Sequence, residues 1–299
     1  MIRRYTSQRE SAVTSAFSRR NVLKAVYAIG ATLGVASLKS APALAQANAF
    51  EPREDMFFRD DWFGEPWRVP EAAVLIHGAL ESSIVWYAWI PRMAQEFRVI
   101  RPDLPGCGRS KAPAGFEWSF PSLAAYVARV LDKAGVQSAH IIGAKTGGPI
   151  AMQFAADFPE RTLSLSVASG PASVITIENP SPIPQRDRLG TSVSKEMIDY
   201  WNTLMAAAPT AGTEGLGTAL SSFDLERDGV LQQIEAPTLI ITADKSALQS
   251  VEKVRKYQMV IPDSRLVVLK SDAYHIAAAN PEECVTNVLA FIRETKQRG

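Results

Sequence analysis

Short apolar runs alternate along this chain with longer stretches whose apolar residues recur every three or four positions. Ala73-Val74-Leu75-Ile76 is a continuous apolar run, so it predicts a strand buried on both faces, ending at His77-Gly78. Trp86 to Phe97 has helical spacing, Val99-Ile100 opens a second strand, and 101–110 is a turn-rich loop. Ser122 to Val136 predicts an amphipathic helix, and His140-Ile141-Ile142 a central strand. Ile150 to Phe158 then continues as a helix stopped by Pro159, and Leu163 to Ala168 is the next strand. Pro237 to Thr242 and Arg265 to Leu269 read as the last strands, with a closing helix from Pro281 to Glu294. Strands alternating with helices predict an α/β fold with a mostly parallel sheet covered on both faces.

Between 171 and 235 that rhythm breaks. Prolines 171, 180, 182 and 184 make its first part loop-like, Ser194 to Ala208 is helical, and a Gly/Thr-rich stretch precedes a short polar helix. This segment reads as a small helical cap inserted into a core formed by 48–170 and 236–299. With 299 residues and 46% hydrophobic content, such a core is large enough to stand as one domain.

Charge is unevenly spread. Residues 1–45 hold seven Lys/Arg and one acid, which leaves 25 basic and 30 acidic residues in the remainder. That mildly acidic body argues against nucleic acid as a partner. The basic start has the form of an address: Ser18-Arg19-Arg20-Asn21-Val22-Leu23-Lys24 fits the twin-arginine export pattern. A modestly apolar stretch follows, Ala25 to Leu38, which is short against the roughly 20 residues that span a bilayer. Ala41-Pro42-Ala43-Leu44-Ala45-Gln46-Ala47 then offers small-residue cleavage after Ala45 or Ala47. Residues 1–47 are therefore expected to be a removed signal, leaving a periplasmic protein with no stable membrane anchor; an uncleaved anchor is the alternative.

The two cysteines, Cys107 and Cys284, have no spacing that demands a disulfide, and three histidines without a Cys/His cluster show no metal site. No cofactor motif is visible, and oligomeric state is open.

The chemistry concentrates at Gly143-Ala144-Lys145-Thr146-Gly147-Gly148. This is the glycine spacing of a nucleophile elbow, G-x-S-x-G, with lysine where the pattern has serine. Together with His77-Gly78-Ala79, the loop Asp103-Leu104-Pro105-Gly106-Cys107-Gly108-Arg109-Ser110, Pro237-Thr238-Leu239-Ile240, and His275 followed by Asn280-Pro281-Glu282-Glu283, it makes residues 60–296 resemble the α/β-hydrolase superfamily. Met205 to Pro209 and Phe223-Asp224-Leu225 look like its 3-oxoadipate enol-lactonase branch. The resemblance implies an oxyanion hole from the backbone N–H groups of Ala79 and Thr146, with His275 as general base. It also implies structural roles for His77 and His140, and loop-ordering roles for Asp103 and Arg109.

Two triad positions depart from that pattern: the nucleophile is Lys145, and the acid aligns with Ser246, with Asp244 two residues early. A lysine that attacked an ester would be left as an amide and turnover would stall, so ordinary acyl transfer through Lys145 is rejected. Two catalytic readings remain. A neutral Lys145 could form a Schiff base for C–C cleavage or decarboxylation, which requires its proton affinity to fall by about three units from 10.4. A charged Lys145 could instead stabilise an enolate or oxyanion while His275 activates water or a carbon acid. The alternative is a pseudoenzyme that binds a small molecule, with Lys145 paired to a carboxylate such as Asp103, Asp244 or Asp272. The substrate in every case is a small carbonyl- or acyl-containing compound. Both catalytic readings depend on a Lys145 nitrogen free of any compensating anion, in a cavity shared with His275; a clamped nitrogen leaves only a ligand-holding shell. Trp86, Tyr200, Trp201 and Met205 could line the entrance or simply pack.

Overall fold

The computed structural model describes residues 54–175 and 185–298. The expected export signal at 1–47 lies outside the described residues. Within them, no helix is long and apolar enough to cross a membrane.

Seven strands form one sheet: β1 (Phe58–Asp61), β2 (Ala72–Ile76), β3 (Arg98–Pro102), β4 (Ala139–Ala144), β5 (Thr162–Ala168), β6 (Thr238–Ala243) and β7 (Ser264–Leu269). Their spatial order is β1-β3-β2-β4-β5-β6-β7, with only the β1–β3 pairing antiparallel. The helices are α1 (Ile90–Met93), α2 (Phe120–Lys133), α3 (Gly147–Asp157), α4 (Gln185–Leu189), α5 (Lys195–Ala206), α6 (Thr210–Leu220), α7 (Val251–Gln258), α8 (Ile276–Ala279) and α9 (Pro281–Arg298).

Successive strand residues face opposite sides, and two apolar cores follow from that alternation. Val74, Ile76, Ile141 and Val167 pack with residues of α2, α3 and α7 on one face. Ala73, Leu75, Ile142 and Ile241 pack with Trp89, α8 and α9 on the other. Cys107 belongs to the first core and Cys284 to the second, both as thiols rather than a disulfide.

The structure departs from the apolar pattern in four places. The charged segment Phe58-Arg59-Asp60-Asp61 is an edge strand, held by ion pairs of Asp60 with Arg98 and Asp61 with Arg101, each at 2.6 Å. Charge on a sheet edge hides the strand signal while protecting the edge from further pairing. Trp86 to Phe97 is not one helix but a 3-10 turn, Ser83–Trp86, and the short α1, because Pro91 starts a helix and cannot continue one. The Gly/Thr-rich stretch is itself a helix, α6. A Cβ on Gly212 would lie 2.5 Å from the Gly106 carbonyl oxygen, and one on Gly215 2.1 Å from the Trp118 ring, so close packing outweighs poor helix propensity there. Finally, α7 follows β6, capped by Ser250, whose side chain accepts from the Lys253 amide.

Candidate active site

The C-terminal ends of β2, β4 and β7 carry the candidate groups, as open parallel sheets place their sites. After β4 the chain turns sharply at Lys145, whose φ of +53° is left-handed, and enters α3 directly. Such a conformation costs a lysine about 1–2 kcal/mol. It is held by the Lys145 amide donating to the Ala168 carbonyl at 3.2 Å, and by the Gly148 amide donating to the Lys145 carbonyl at 2.9 Å. The glycine spacing has a steric reason: a Cβ on Gly147 would sit 2.1 Å from the Ile76 carbonyl oxygen. The elbow geometry is therefore present, with an amine on it.

That amine is not free. Glu81 Oε1 lies 2.5 Å from Lys145 Nζ and 2.9 Å from His275 Nε2, while Glu81 Oε2 accepts the Gly78 amide at 3.0 Å. The His275 contact is close but not aligned as a hydrogen bond. The side chains of Lys145, Glu81 and His275 are only 10%, 2% and 3% exposed, so this is a buried three-membered cluster. The requirement for an uncompensated nitrogen is overturned, because the loop after β2 brings a carboxylate over the elbow. None of the three aspartates considered is the partner. Asp103 accepts the Ser83 and Arg109 amides, Asp244 the Ser271 amide and Asp272 the Thr191 amide, each ordering its own loop.

Glu81 went unrecognised in the sequence although its position carried a signal. It stands four residues past His77, in the loop that the resemblance itself sets beside the elbow. Arg188 was also missed. Its carbonyl accepts the His275 amide at 2.8 Å, and its positive charge acts on both Lys145 and His275.

Burial alone would raise the Glu81 carboxyl, but the charges of Lys145 and His275, with the Lys145 hydrogen bond, outweigh it and hold Glu81 well below the usual range. Burial lowers Lys145 from its ordinary value, and Arg188 adds to that, against the attraction of Glu81. An ionised carboxylate at 2.5 Å favours the charged ammonium of Lys145. Burial, Lys145 and Arg188 push His275 below 6.5, so its imidazole is neutral at pH 7.

Nδ1 has no hydrogen-bond partner among the described residues. In the resembled pattern an acid would hold that nitrogen; here Ser246 accepts instead from the Leu248 amide at 3.4 Å. The Trp201 ring stands edge-on to His275 at 5.9 Å. Trp86 is buried against Trp89, while Tyr200 and Met205 are half-buried on α5.

The Ala79 and Thr146 amides donate to no other group among the described residues. Gly78, which precedes Ala79, packs onto Lys145, since a Cβ there would lie 3.0 Å from Lys145 Cβ. Both proposed oxyanion donors thus flank the cluster. His77 is structural: Nε2 accepts the Leu104 amide at 3.0 Å, and Nδ1 lies 2.7 Å from the Gly78 carbonyl. His140 is held between Ser164 and Glu71. Asp103 and Arg109 order their loop, with the Arg109 guanidinium 4.1 Å over the Phe57 ring.

A parallel sheet with an elbow after its central strand and a histidine after its last one defines an α/β-hydrolase architecture, and the chain belongs to that family. The family model described as alpha/beta hydrolase fold matches residues 73–191. A pimeloyl-[acyl-carrier protein] methyl ester esterase of Aeromonas hydrophila is 38% identical over 246 residues, 73% of this chain and 94% of that protein. A carboxylesterase of Bacillus subtilis is 23% identical, with 73% of this chain and 79% of that protein covered. Among solved structures, an enol-lactonase from Burkholderia xenovorans superposes with a TM-score of 0.68 at 18% identity, covering 80% of this chain and 96% of its own. At that identity it supports the fold and not the enol-lactonase branch.

Proposed function

We propose that this chain is an exported, periplasmic hydrolase of small carbonyl- or acyl-containing compounds that works without an acyl-enzyme. The Lys145 ammonium and the Ala79 and Thr146 amides polarise the substrate carbonyl and stabilise the oxyanion. The basic nitrogen of His275 takes a proton from water as its oxygen attacks that carbonyl, and returns the proton to the departing group. Glu81 keeps Lys145 charged and neutralises His275 when it is protonated. The observation that carries this reading is the single Glu81 oxygen touching both Lys145 and His275. It turns Lys145 from a nucleophile into a fixed cation and removes the premise of Schiff-base chemistry. Esterases among the relatives support acyl compounds as the substrate class.

The same clamp favours a second reading, a shell that holds a small ligand without turning it over. Assays on nitrophenyl esters, lactones and thioesters separate the two. The hydrolase reading expects turnover that falls about 100-fold or more in both Lys145→Met and His275→Ala. Borohydride treatment with 2-oxo acids should leave no mass increase on Lys145. An adduct there would restore the imine mechanism, while saturable binding with no turnover would establish the shell.

A further inference from the structure

A cavity of about 290 Å³ lies apart from the Lys145 cluster and shares none of its residues. Pro171, Ala172, Val174 and Leu248 give it an apolar wall, and Lys253, Lys256 and Glu226 supply charge. None of its lining residues is a partner of Lys145, Glu81 or His275. Its volume is near the lower end of the range for small-molecule sites.

Lys253 and Lys256 stand three apart on α7, so they share a face and lie one turn from each other. Among the described residues neither is in an ion pair, nor is Glu226. Two ammonium groups that no described residue pairs, against the single carboxylate of Glu226, leave the cavity with a net positive charge beside an apolar wall, which suits an organic anion. Gln249 lines the same cavity and is 6% exposed. Its Nε2 reaches the Gly170 carbonyl only at 3.4 Å, and its Oε1 has no donor among the described residues. The carbonyl partner decides which way the amide faces, since turning it over would set two acceptors against each other. The buried oxygen is thus short of a donor, and an amide held at 3.4 Å can rotate to meet one.

We propose that this cavity binds a small organic anion with an apolar body and one hydrogen-bond donor, its carboxylate on Lys253 and Lys256 and its donor on Gln249. The loop 244–250, where the resembled pattern puts the triad acid, has taken on ligand binding instead. The Gly170 carbonyl is held by Gln249 and by the Tyr257 hydroxyl at 2.8 Å, Gly170 packs against Gly148 of α3, and Ala168 accepts from Lys145.

Calorimetric titration with 4-hydroxybenzoate, and with benzoate, which lacks the donor, tests this. The full chain should bind 4-hydroxybenzoate saturably and more tightly than benzoate. Lys253→Glu/Lys256→Glu should weaken both by about tenfold or more, the loss of roughly one charge-assisted contact. Gln249→Leu should erase the preference for the hydroxylated ligand while leaving benzoate binding in place. Lys145→Met should change neither affinity. Absence of saturable binding overturns the proposal. So does binding lost in Lys145→Met but kept in the Lys253/Lys256 variant, because the anion would then occupy the Lys145 cluster. A preference that survives Gln249→Leu removes Gln249 from the site.

Discussion

The turn at Lys145 and the loop at 244–250 once shared one task in the architecture this chain resembles, and they have fared differently. The turn keeps its backbone in full: left-handed φ, glycine contacts, amides beside the site. The loop keeps only its place after β6, and its carboxylate points to the Ser271 amide rather than to His275. Backbone-built features tolerate a changed side chain, because sterics and main-chain hydrogen bonds hold them. A histidine–acid contact is one side chain deep and is lost with a single replacement. What replaced it came from elsewhere, since Glu81 meets the opposite nitrogen of the same ring.

The largest effect should come from rebuilding the lost half. Lys145→Ser alone should give no serine-type esterase, because nothing orients Nδ1 of His275. Adding Ser246→Asp should raise nitrophenyl-ester turnover by about 1,000-fold or more over the single variant, given that a wrongly held histidine costs about 10⁴ in a serine triad. Labelling of the new serine by a fluorophosphonate should rise in parallel. Strong turnover in Lys145→Ser by itself would show that Glu81 already orients the ring, and the contrast between turn and loop would fail.

Next in size is the buried ion pair. Glu81→Gln leaves an ammonium buried beside a neutral amide and should cost about 3–5 kcal/mol in denaturant unfolding. Glu81→Leu with Lys145→Met removes both charges and should be within a few kcal/mol of the parent, on either side, since apolar replacements of buried pairs are often neutral or stabilising by about 1–4 kcal/mol. If the double variant loses as much as Glu81→Gln, the pair is not the source of the cost.

The difference between turn and loop also marks what could be read from residues alone. The parallel sheet was legible because runs such as Ala73 to Ile76 are apolar on both faces, and the elbow because glycine spacing reflects a steric need. Lys145 and His275 both lie against Glu81, and Ala79 and Thr146 directly follow Gly78 and Lys145 in the chain. Glu81 escaped although its loop was marked by the resemblance, because its placement depends on the left-handed turn at Leu80, φ +65°, which residue types alone do not announce. β1 escaped because charge on an edge strand erases alternation. α6 escaped because its glycines serve contacts with Gly106 and Trp118 that only tertiary structure supplies.

The smallest effect concerns protons. His275 is held below 6.5, chiefly by burial and then by Lys145, with Arg188 adding and Glu81 opposing. The unfolded chain therefore binds more protons at this residue between the folded value and 6.5, and stability must fall as pH drops through that window. Glu81 is held well below 4.5, so its contribution is complete above 4.5 and is lost only at lower pH, as the solution approaches its folded value. Acid unfolding should accordingly show an early loss from histidine, before the carboxylate. His77 and His140 are lowered too, also chiefly by burial, so the early limb belongs partly to them. His275→Asn isolates the share of one ring: the slope of stability against pH just below 6.5 should become shallower, with the lower limb unchanged. In the parent, kcat/KM should hold its plateau to below pH 6.5, because the free base persists there. A slope untouched by His275→Asn would mean the imidazole is solvated, and an activity limb centred above 6.5 would mean that the attraction of Glu81 outweighs burial.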